Sequence, residues 1–167
     1  MLPEKRIWDG NILLSIVVPV YNEEGAIGQL HREIVSACTS TAKPFEVIFV
    51  NDGSTDQTLA KMQDLSPLKI INMRKNFGQT AAMDAGIKYA KGRYIVTMDG
   101  DGQNDPKDIT KLIKKLESDD LDVVSGWRRR RSDSFSKRLA SKLAAFTRRM
   151  MINDGIHDSG CSLKIYK

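Results

Sequence analysis

The amino-acid sequence predicts an α/β fold, with a doubly wound, mostly parallel β-sheet and helices on both faces. This prediction rests on the alternation of short runs rich in β-branched residues with helical patterns along the chain. Three of these runs end in acidic or amide residues with glycine. The length of 167 residues suits a single domain over residues 1–167, which would bury roughly 70% of the extended chain's surface on folding.

The first part of the chain supplies two strongly apolar runs, each followed by a helical pattern. Residues 13–20 are dense in β-branched side chains and predict a buried strand. In residues 23–42 apolar side chains recur at three- and four-residue steps, which is the stripe of an amphipathic helix. Residues 45–50 predict a second buried strand. Ser54 is then expected to begin a helix, with Gln57 completing a capping box.

The same alternation continues to the end of the chain. Three further strands are predicted over residues 68–72, 93–98 and 122–125, and two helices over residues 79–90 and 108–117. A last helix is expected over residues 136–152, where an apolar stripe recurs at helical spacing. This regular succession of strand and helix is typical of a parallel sheet.

Charge is unevenly distributed along the chain. Lys and Arg number 26 and Asp and Glu 21, a net charge of +5. Residues 127–150 hold nine basic residues and one acid, or +8, so the remainder is −3. The longest apolar run, residues 47–50, is far shorter than the roughly 20 residues that span a bilayer. Residues 1–11 lack the apolar centre of a signal peptide, so membrane spans and secretion are not expected.

Cysteine and histidine offer no metal pattern. Cys38 and Cys161 lie far apart without ligand-type spacing, which favours reduced thiols in a cytosolic environment. His31 is expected on the surface of the helix over residues 23–42. The glycine patterns of dinucleotide-binding folds and of P-loops are both absent from the sequence.

Acidic side chains follow three of the predicted strands. Glu23 follows the first strand, Asp52 the second, and Asp99 and Asp101 the fourth. Because the carboxyl ends of parallel strands meet at one sheet edge, we expect these four carboxylates around a single crevice. There Asp52 can accept a hydrogen bond from a nucleobase or ribose, and Tyr21 can pack against a base.

A divalent cation, Mg²⁺ or Mn²⁺, is expected at the end of the fourth strand. In an extended backbone Asp99 and Asp101 point to the same side, and such cations prefer a few carboxylates with water and substrate phosphates. Gln103 offers a third oxygen. Gly100 and Gly102 let the backbone turn and a bulky ligand approach, which assigns Gly100 to substrate binding. The alternative interpretation is that Asp-Gly-Asp-Gly is a solvated turn.

Five ordered motifs resemble those of family 2 glycosyltransferases. The similarity is strongest to the polyprenyl-phosphate branch, which includes dolichol-phosphate mannosyltransferases and bacterial undecaprenyl-phosphate sugar transferases. The motifs are VPVYNEE (18–24), NDGSTD (51–56), RKNFGQ (74–79), MDGDGQNDP (98–106) and DSGCSLKIY (158–166).

The resemblance implies a glycosyltransferase A-type fold that binds a nucleotide sugar, a divalent metal, and inversion at the anomeric carbon. The positions that match nucleotide-binding residues of the family are Pro19, Tyr21, Glu23, Val50 and Asp52. Asp99 and Asp101 match the acid pair at the diphosphate and metal, with Asp101 also taken as catalytic, and Gln103 matches a metal ligand.

The basic segment is the expected acceptor side of the protein. Arg128 matches a family arginine that meets phosphate, and Arg131, Lys137 and Arg138 extend the basic surface, so all four are assigned to substrate binding. Asp158 matches a late acidic position that serves as base or positioning group. A basic amphipathic helix suits an anionic membrane surface. A solvated helix face is the alternative, and a nucleic-acid partner is not favoured, because no stacking platform accompanies the charge.

These interpretations predict an inverting, metal-dependent transferase. It would move a sugar from a GDP- or UDP-linked donor to dolichyl or undecaprenyl phosphate, as a peripheral protein on the cytoplasmic side of a membrane. Residues 13–126 would bind the donor and residues 127–167 would face the acceptor and membrane, in a chain truncated at its C-terminus. Two alternatives stay open: a family 2 enzyme with a saccharide acceptor, and a donor-binding fragment without turnover. The sugar and the oligomeric state are left open.

Overall fold

The computed structural model describes residues 10–127 and 160–167. The strands in these residues are β1 (Leu14–Val20), β2 (Phe45–Asn51), β3 (Lys69–Asn72), β4 (Tyr94–Thr97), β5 (Val123–Ser125) and β6 (Lys164–Tyr166). The helices are α1 (Ile27–Thr39), α2 (Thr58–Gln63), α3 (Gln79–Tyr89) and α4 (Asp108–Ser118). The six strands form one sheet in the order β3-β2-β1-β4-β6-β5.

The sheet is mostly parallel. β1 pairs in parallel with β2 and β4, and β2 pairs in parallel with β3. β6 runs antiparallel to both β4 and β5 and lies between them. The predicted α/β fold is therefore confirmed, but β6 was not predicted. This strand lies outside the regular alternation of strand and helix, and only Ile165 of its three residues is fully buried.

Helices cover both faces of the sheet, as predicted. Leu14, Ile16 and Val18 of β1 belong to the larger core cluster, which also contains apolar residues of α1, α2 and α4. Val17 points to the other face and joins a smaller cluster with Ala82 of α3. Successive strand residues face opposite sides, so one strand supplies both cores. Two apolar layers thus fix the sheet edge at which β1, β2 and β4 end.

Two helices begin later than predicted. α1 begins at Ile27 rather than residue 23, and α2 begins at Thr58 rather than beside Ser54. The expected capping box is wrong: the α2 N-cap is Gln57, which makes no side-chain cap bond. The Ser54 hydroxyl instead accepts the backbone N–H of Asn22 at 2.9 Å. The hydroxyl is thus used to join two loops, which a pattern within one segment does not reveal.

His31 is buried, which corrects its expected place on the surface of α1. Its side chain is 3% exposed, and its Nε2 lies 3.0 Å from the carbonyl oxygen of Pro67. The ring also meets Phe49 edge-on, with centroids 5.9 Å apart. A ring with a polar tip can fill a core position when that tip finds a hydrogen-bond partner.

The predicted helix over residues 136–152 lies outside the described residues. Within residues 10–127 and 160–167, none of the helices has the length and apolar character needed to cross a bilayer.

Candidate functional site

A cavity of about 320 Å³ opens at the carboxyl ends of β1, β2 and β4. Its lining comes from the three strand ends and from the segment before α3. The lining residues are Pro19, Val20, Tyr21, Glu23, Asp52, Asn76, Gly78, Gln79, Asp99, Gly100 and Asp101. The expectation that the acidic strand ends meet in one crevice is confirmed in this geometry.

Two residues assigned from the sequence lie elsewhere. Val50 is fully buried in the smaller core cluster, where its side chain packs beside Gly86 of α3. Gln103 lines two neighbouring cavities, of about 700 and 680 Å³, that flank the loop after β4. Its backbone N–H donates to Oδ1 of Asp101 at 3.0 Å. The roles of Val50 in nucleotide binding and of Gln103 in metal binding stay predictions.

Asp52 anchors the segment that precedes α3. Its side chain is 3% exposed, and its two oxygens accept the backbone N–H groups of Phe77 at 2.8 Å and Gly78 at 2.9 Å. The adjacent Gly53 has a φ of +68°, and a Cβ there would overlap the backbone of Lys75. Asp52 therefore shapes the cavity wall, while each carboxylate oxygen keeps capacity for a further donor from a ligand.

The loop after β4 presents the acid pair. The side-chain amide of Gln79 donates a hydrogen bond to Oδ1 of Asp99. Between the two acids, Gly100 passes so close to β1 that an added Cβ would lie 2.8 Å from the Pro19 carbonyl oxygen. Glycine at this position brings both carboxylates against the end of β1.

The cavity carries strong negative charge. It is lined by four carboxylates and, among the residues that the structure describes, by no lysine or arginine. Partial burial, together with the carboxylates of Asp101 and Asp56, raises the pKa of Glu23 above its ordinary value of 4.5. Repulsion between cavity carboxylates is thus already present in the protein alone.

The carboxylates of this cavity suit a divalent cation whose coordination is completed by a bound substrate. In the described part of the chain, no cluster of three or more histidine, cysteine or acidic side chains is arranged to hold a metal. Mg²⁺ is commonly held by only one or two carboxylates with water and substrate phosphates. Asp99 and Asp101 supply such a pair, and a cation would also offset the repulsion that a diphosphate meets here.

Four lining residues were not assigned from the sequence, and one of them is Val20 at the end of β1. Asn76 and Gly78 enter the cavity from the segment before α3, and Gln79 enters it as the first residue of α3. They belong to the RKNFGQ motif, which contributes to the family resemblance but carries no predicted site residue. Gly78 has a φ of +93° immediately before α3, so a glycine opening a helix next to polar residues was the available signal.

The predicted acceptor residues lie outside the described residues: Arg128, Arg131, Lys137, Arg138 and Asp158. The described residues that follow this segment contact both the loop after β4 and the described residues that precede it. Asn104 donates to the Ser162 hydroxyl at 2.8 Å, and the Gly126 N–H donates to the Leu163 carbonyl at 2.8 Å. Trp127, the last described residue before this segment, is 59% exposed.

The chain is similar to enzymes that act on polyprenyl phosphates. It is 45% identical over 160 residues to dodecaprenyl-phosphate galacturonate synthase of Rhizobium johnstonii, covering 92% of this chain and 47% of that protein. It is 34% identical to undecaprenyl-phosphate 4-deoxy-4-formamido-L-arabinose transferase of Pseudomonas aeruginosa, covering 93% and 47%. The chain thus spans about half the length of the curated relatives it matches.

A structural comparison and a family comparison agree with these sequence similarities. Mannosyl-3-phosphoglycerate synthase from Rubrobacter xylanophilus superposes with a TM-score of 0.74 at 16% identity, over 93% of this chain and 54% of that one. This likeness supports a glycosyltransferase A-type fold. A sequence model described as glycosyl transferase family 2 matches residues 15–167. With a family match over nearly all of its length, the chain belongs to glycosyl transferase family 2.

Proposed function

We propose that this protein transfers a sugar, with inversion, from a nucleotide sugar to a polyprenyl phosphate. The observation that carries the proposal is the crevice itself: it joins an aromatic and hydrogen-bonding end at Tyr21, Glu23 and Asp52 to an acid pair at Asp99 and Asp101. The acceptor class rests on the names of the two relatives above, both of which are polyprenyl-phosphate sugar transferases.

The nucleotide is proposed to lie against β1 and β2. The Tyr21 ring is 45% exposed and offers a face for a base, while Pro19 lines the cavity beside it. The carboxylates of Glu23 and Asp52 accept hydrogen bonds from base or ribose donors. Val50 would support the nucleotide site indirectly. Its side chain is buried on the α3 side of the sheet and packs the end of β2 against that helix.

The diphosphate is proposed to lie at the loop after β4. Asp99 and Asp101 would hold Mg²⁺ or Mn²⁺, with Gln103 as a further ligand. When bound, the cation stabilises the negative charge that grows on the departing nucleoside diphosphate. Gly100 lines the cavity between the two acids, and its lack of a side chain lets this loop lie against the end of β1 beside the substrate.

The acceptor phosphate supplies the nucleophile. A phosphate monoester has a second pKa of about 6, so it is largely a dianion at neutral pH and needs little help from a base. One of its oxygens forms a bond to the anomeric carbon while the bond from that carbon to the diphosphate oxygen breaks. The diphosphate leaves with the electron pair, and attack from the opposite face inverts the carbon.

The acceptor side is assigned to residues 127–167. Arg128, Arg131, Lys137 and Arg138 would shield and orient the lipid phosphate, and Asp158 would act as base or positioning group. The +8 charge of residues 127–150 supports peripheral attachment at the cytoplasmic, anionic face of a membrane.

A transfer assay tests the proposal. The protein is incubated with radiolabelled GDP- and UDP-linked sugars, including UDP-galacturonate, with Mn²⁺ and polyprenyl phosphate, and lipid-extractable product is measured. We expect labelled lipid with the wild type and with Asp84→Asn, a carboxylate on α3 that pairs with Lys88 away from the cavity. Asp101→Asn should lose it. Product on saccharide acceptors alone would favour the saccharide alternative, and nucleotide binding without any transfer would favour the donor-binding fragment.

A further inference from the structure

The loop after β1 and the loop after β2 are joined by hydrogen bonds at the nucleotide end of the crevice. We infer that Asn22 is a positioning residue, which sets Tyr21 and Glu23 in the cavity by holding the loop after β1 to the loop after β2. This inference rests on the proposed function, because it assigns Asn22 an effect on nucleotide affinity. Asn22 does not line the cavity, while both of its neighbours in sequence do.

The backbone of Asn22 adopts a conformation that few side chains tolerate. Its φ is +55°, in the left-handed region, where asparagine is favoured over most residues other than glycine. The left-handed residue turns the chain sharply between Tyr21 and Glu23, so both of these residues can line the same cavity.

The side chain and the backbone of Asn22 both form hydrogen bonds with the loop after β2. Its Oδ1 accepts the backbone N–H of Thr55 at 2.8 Å, and its own backbone N–H donates to the Ser54 hydroxyl at 2.9 Å. The next residue continues the connection, since the Glu23 N–H donates to the hydroxyl of the fully buried Thr58 at 2.8 Å.

Glu24 completes the connection on the far side of Glu23. Its carboxylate accepts the N–H of Gln57 at 2.8 Å, and its N–H donates to the carboxylate of Asp56 at 3.2 Å. Hydrogen bonds therefore run in both directions between the loops. Asp52, at the start of the second loop, is tied in turn to the segment before α3.

This arrangement orders the nucleotide site before a ligand arrives. A loop that is already held in its binding conformation loses less entropy on binding than a free loop does. Removing the Asn22 side chain removes two hydrogen bonds between the loops, from the backbone N–H of Thr55 at 2.8 Å and from its hydroxyl at 3.4 Å. It also removes the residue type that tolerates the turn. The expected result is weaker nucleotide binding, with little change in the chemical step.

Three substitutions separate the two properties of Asn22. Asn22→Ala loses both the acceptor oxygen and the tolerance for positive φ, Asn22→Gly loses only the acceptor, and Asn22→Asp keeps both. Measured by calorimetry with GDP and with UDP as probes in Mn²⁺, the Kd should rise about tenfold in Asn22→Ala and less in Asn22→Gly. Asn22→Asp adds a negative charge near the acidic cavity, but it should still bind more tightly than Asn22→Ala because it keeps both properties. In the transfer assay KM for the donor should rise while kcat stays within about twofold.

A matched control removes a comparable loop hydrogen bond at the opposite edge of the sheet. Thr41, between α1 and β2, donates to the Cys38 carbonyl and accepts the Lys43 N–H. Thr41→Ala should lower Tm without changing the nucleotide Kd. Equal Kd values for wild type and Asn22→Ala, or a rise in Kd that merely follows Tm in both Asn22→Ala and Thr41→Ala, would overturn the inference.

Hydrogen–deuterium exchange separates this inference from the proposed function. Without ligand, amides of residues 21–24 and 54–58 should exchange faster in Asn22→Ala and not in Thr41→Ala. Unchanged exchange there overturns the positioning role. If the wild type binds neither GDP nor UDP, the proposed function fails, and the exchange result still decides whether Asn22 orders these loops.

Discussion

Gln79 and Asp99 are joined by a hydrogen bond from the side-chain amide to the carboxylate, at the mouth of the acidic crevice. Gln79 is the first residue of α3, and Asp99 follows β4, so the bond links a helix on one face of the sheet to the loop that presents the acid pair. It holds one oxygen of Asp99 in a defined place. The acid pair is therefore supported from the first residue of α3 as well as from its own loop.

The acid pair should account for the metal dependence of nucleotide binding. Asp99→Asn and Asp101→Asn each remove one charge from the proposed cation site and should weaken Mn²⁺-dependent nucleotide binding at least about tenfold. Gln103→Ala should have a smaller effect, because a neutral amide oxygen is a weaker ligand and Gln103 lines the neighbouring cavities. Calorimetric titration of the nucleotide over a series of Mn²⁺ concentrations checks the order of effects. An effect of Gln103→Ala as large as that of Asp101→Asn would contradict it.

The positions of strands and acidic residues could be predicted because they depend on short-range patterns. The β-branched runs at residues 13–20 and 45–50 have one dominant solution, a buried strand. Once the strands are parallel, their carboxyl ends share an edge, and Glu23, Asp52 and the acid pair must come together there.

What could not be predicted depends on contacts between distant segments. Ser54 looks like a helix cap within its own segment, yet its hydroxyl binds Asn22, 32 residues away. Asp52 looks free to receive a ligand, yet it holds the backbone of Phe77 and Gly78. In each case the polar group was recognised and its partner was not, because no local pattern encodes a partner in another loop.

The charged Glu23 side chain should lower the free energy of unfolding at neutral pH, although it is proposed to bind the nucleotide. Burial and the neighbouring Asp101 and Asp56 raise the pKa of its carboxyl above 4.5, so the folded protein disfavours the charged form. Stability is therefore lost as the pH rises through the raised pKa, and the cost is full at neutral pH. Glu23→Gln should increase the free energy of unfolding by roughly 0.5 kcal/mol at pH 7, with a smaller gain below pH 4.5, and should weaken nucleotide binding.

Urea denaturation at pH 7 and at pH 4 checks the sign of the Glu23 effect. Glu33→Gln serves as the control, because Glu33 is exposed on α1, where its carboxylate accepts a hydrogen bond from the Gln29 side chain at 2.8 Å. A loss of stability in Glu23→Gln at pH 7 would show that the carboxylate is favoured in the fold, contrary to the expectation.

Gly53 and Gly102 should respond differently to the same substitution. Both have positive φ, +68° and +73°, so alanine is strained at either site by about 1 kcal/mol. A Cβ at Gly53 would also overlap the backbone of Lys75, whereas a Cβ at Gly102 meets nothing within 4 Å. Gly53→Ala should therefore cost more stability and displace the segment that Asp52 holds, which weakens nucleotide binding. Thermal unfolding and calorimetry on both variants check this, and equal losses of Tm would contradict it.

Removing the carboxylate of Glu46 should cost considerable stability. It is 5% exposed near the start of β2, at the sheet edge opposite the crevice. Its oxygens accept hydrogen bonds from the Ser15 hydroxyl at 2.5 Å, the Lys69 ammonium at 2.6 Å and the Lys91 N–H at 2.6 Å. Burial alone would raise the pKa of Glu46, but these donors together hold it below 4.5.

Glu46→Ala should lower the free energy of unfolding by about 3 kcal/mol at pH 7, because it leaves buried donors without their acceptor. Since the pKa is lowered in the folded state, this contribution is complete above pH 4.5 and is lost as the pH falls through the lowered value. Urea denaturation at pH 7, 5 and 3.5 should therefore show the difference between wild type and Glu46→Ala shrinking only at the lowest pH. Glu117→Gln is the matched control, because its pair with Lys43 at 2.9 Å is partly exposed and should contribute less than about 0.5 kcal/mol. A difference that stays constant down to pH 3.5 would mean that the charge of Glu46 does not stabilise the fold.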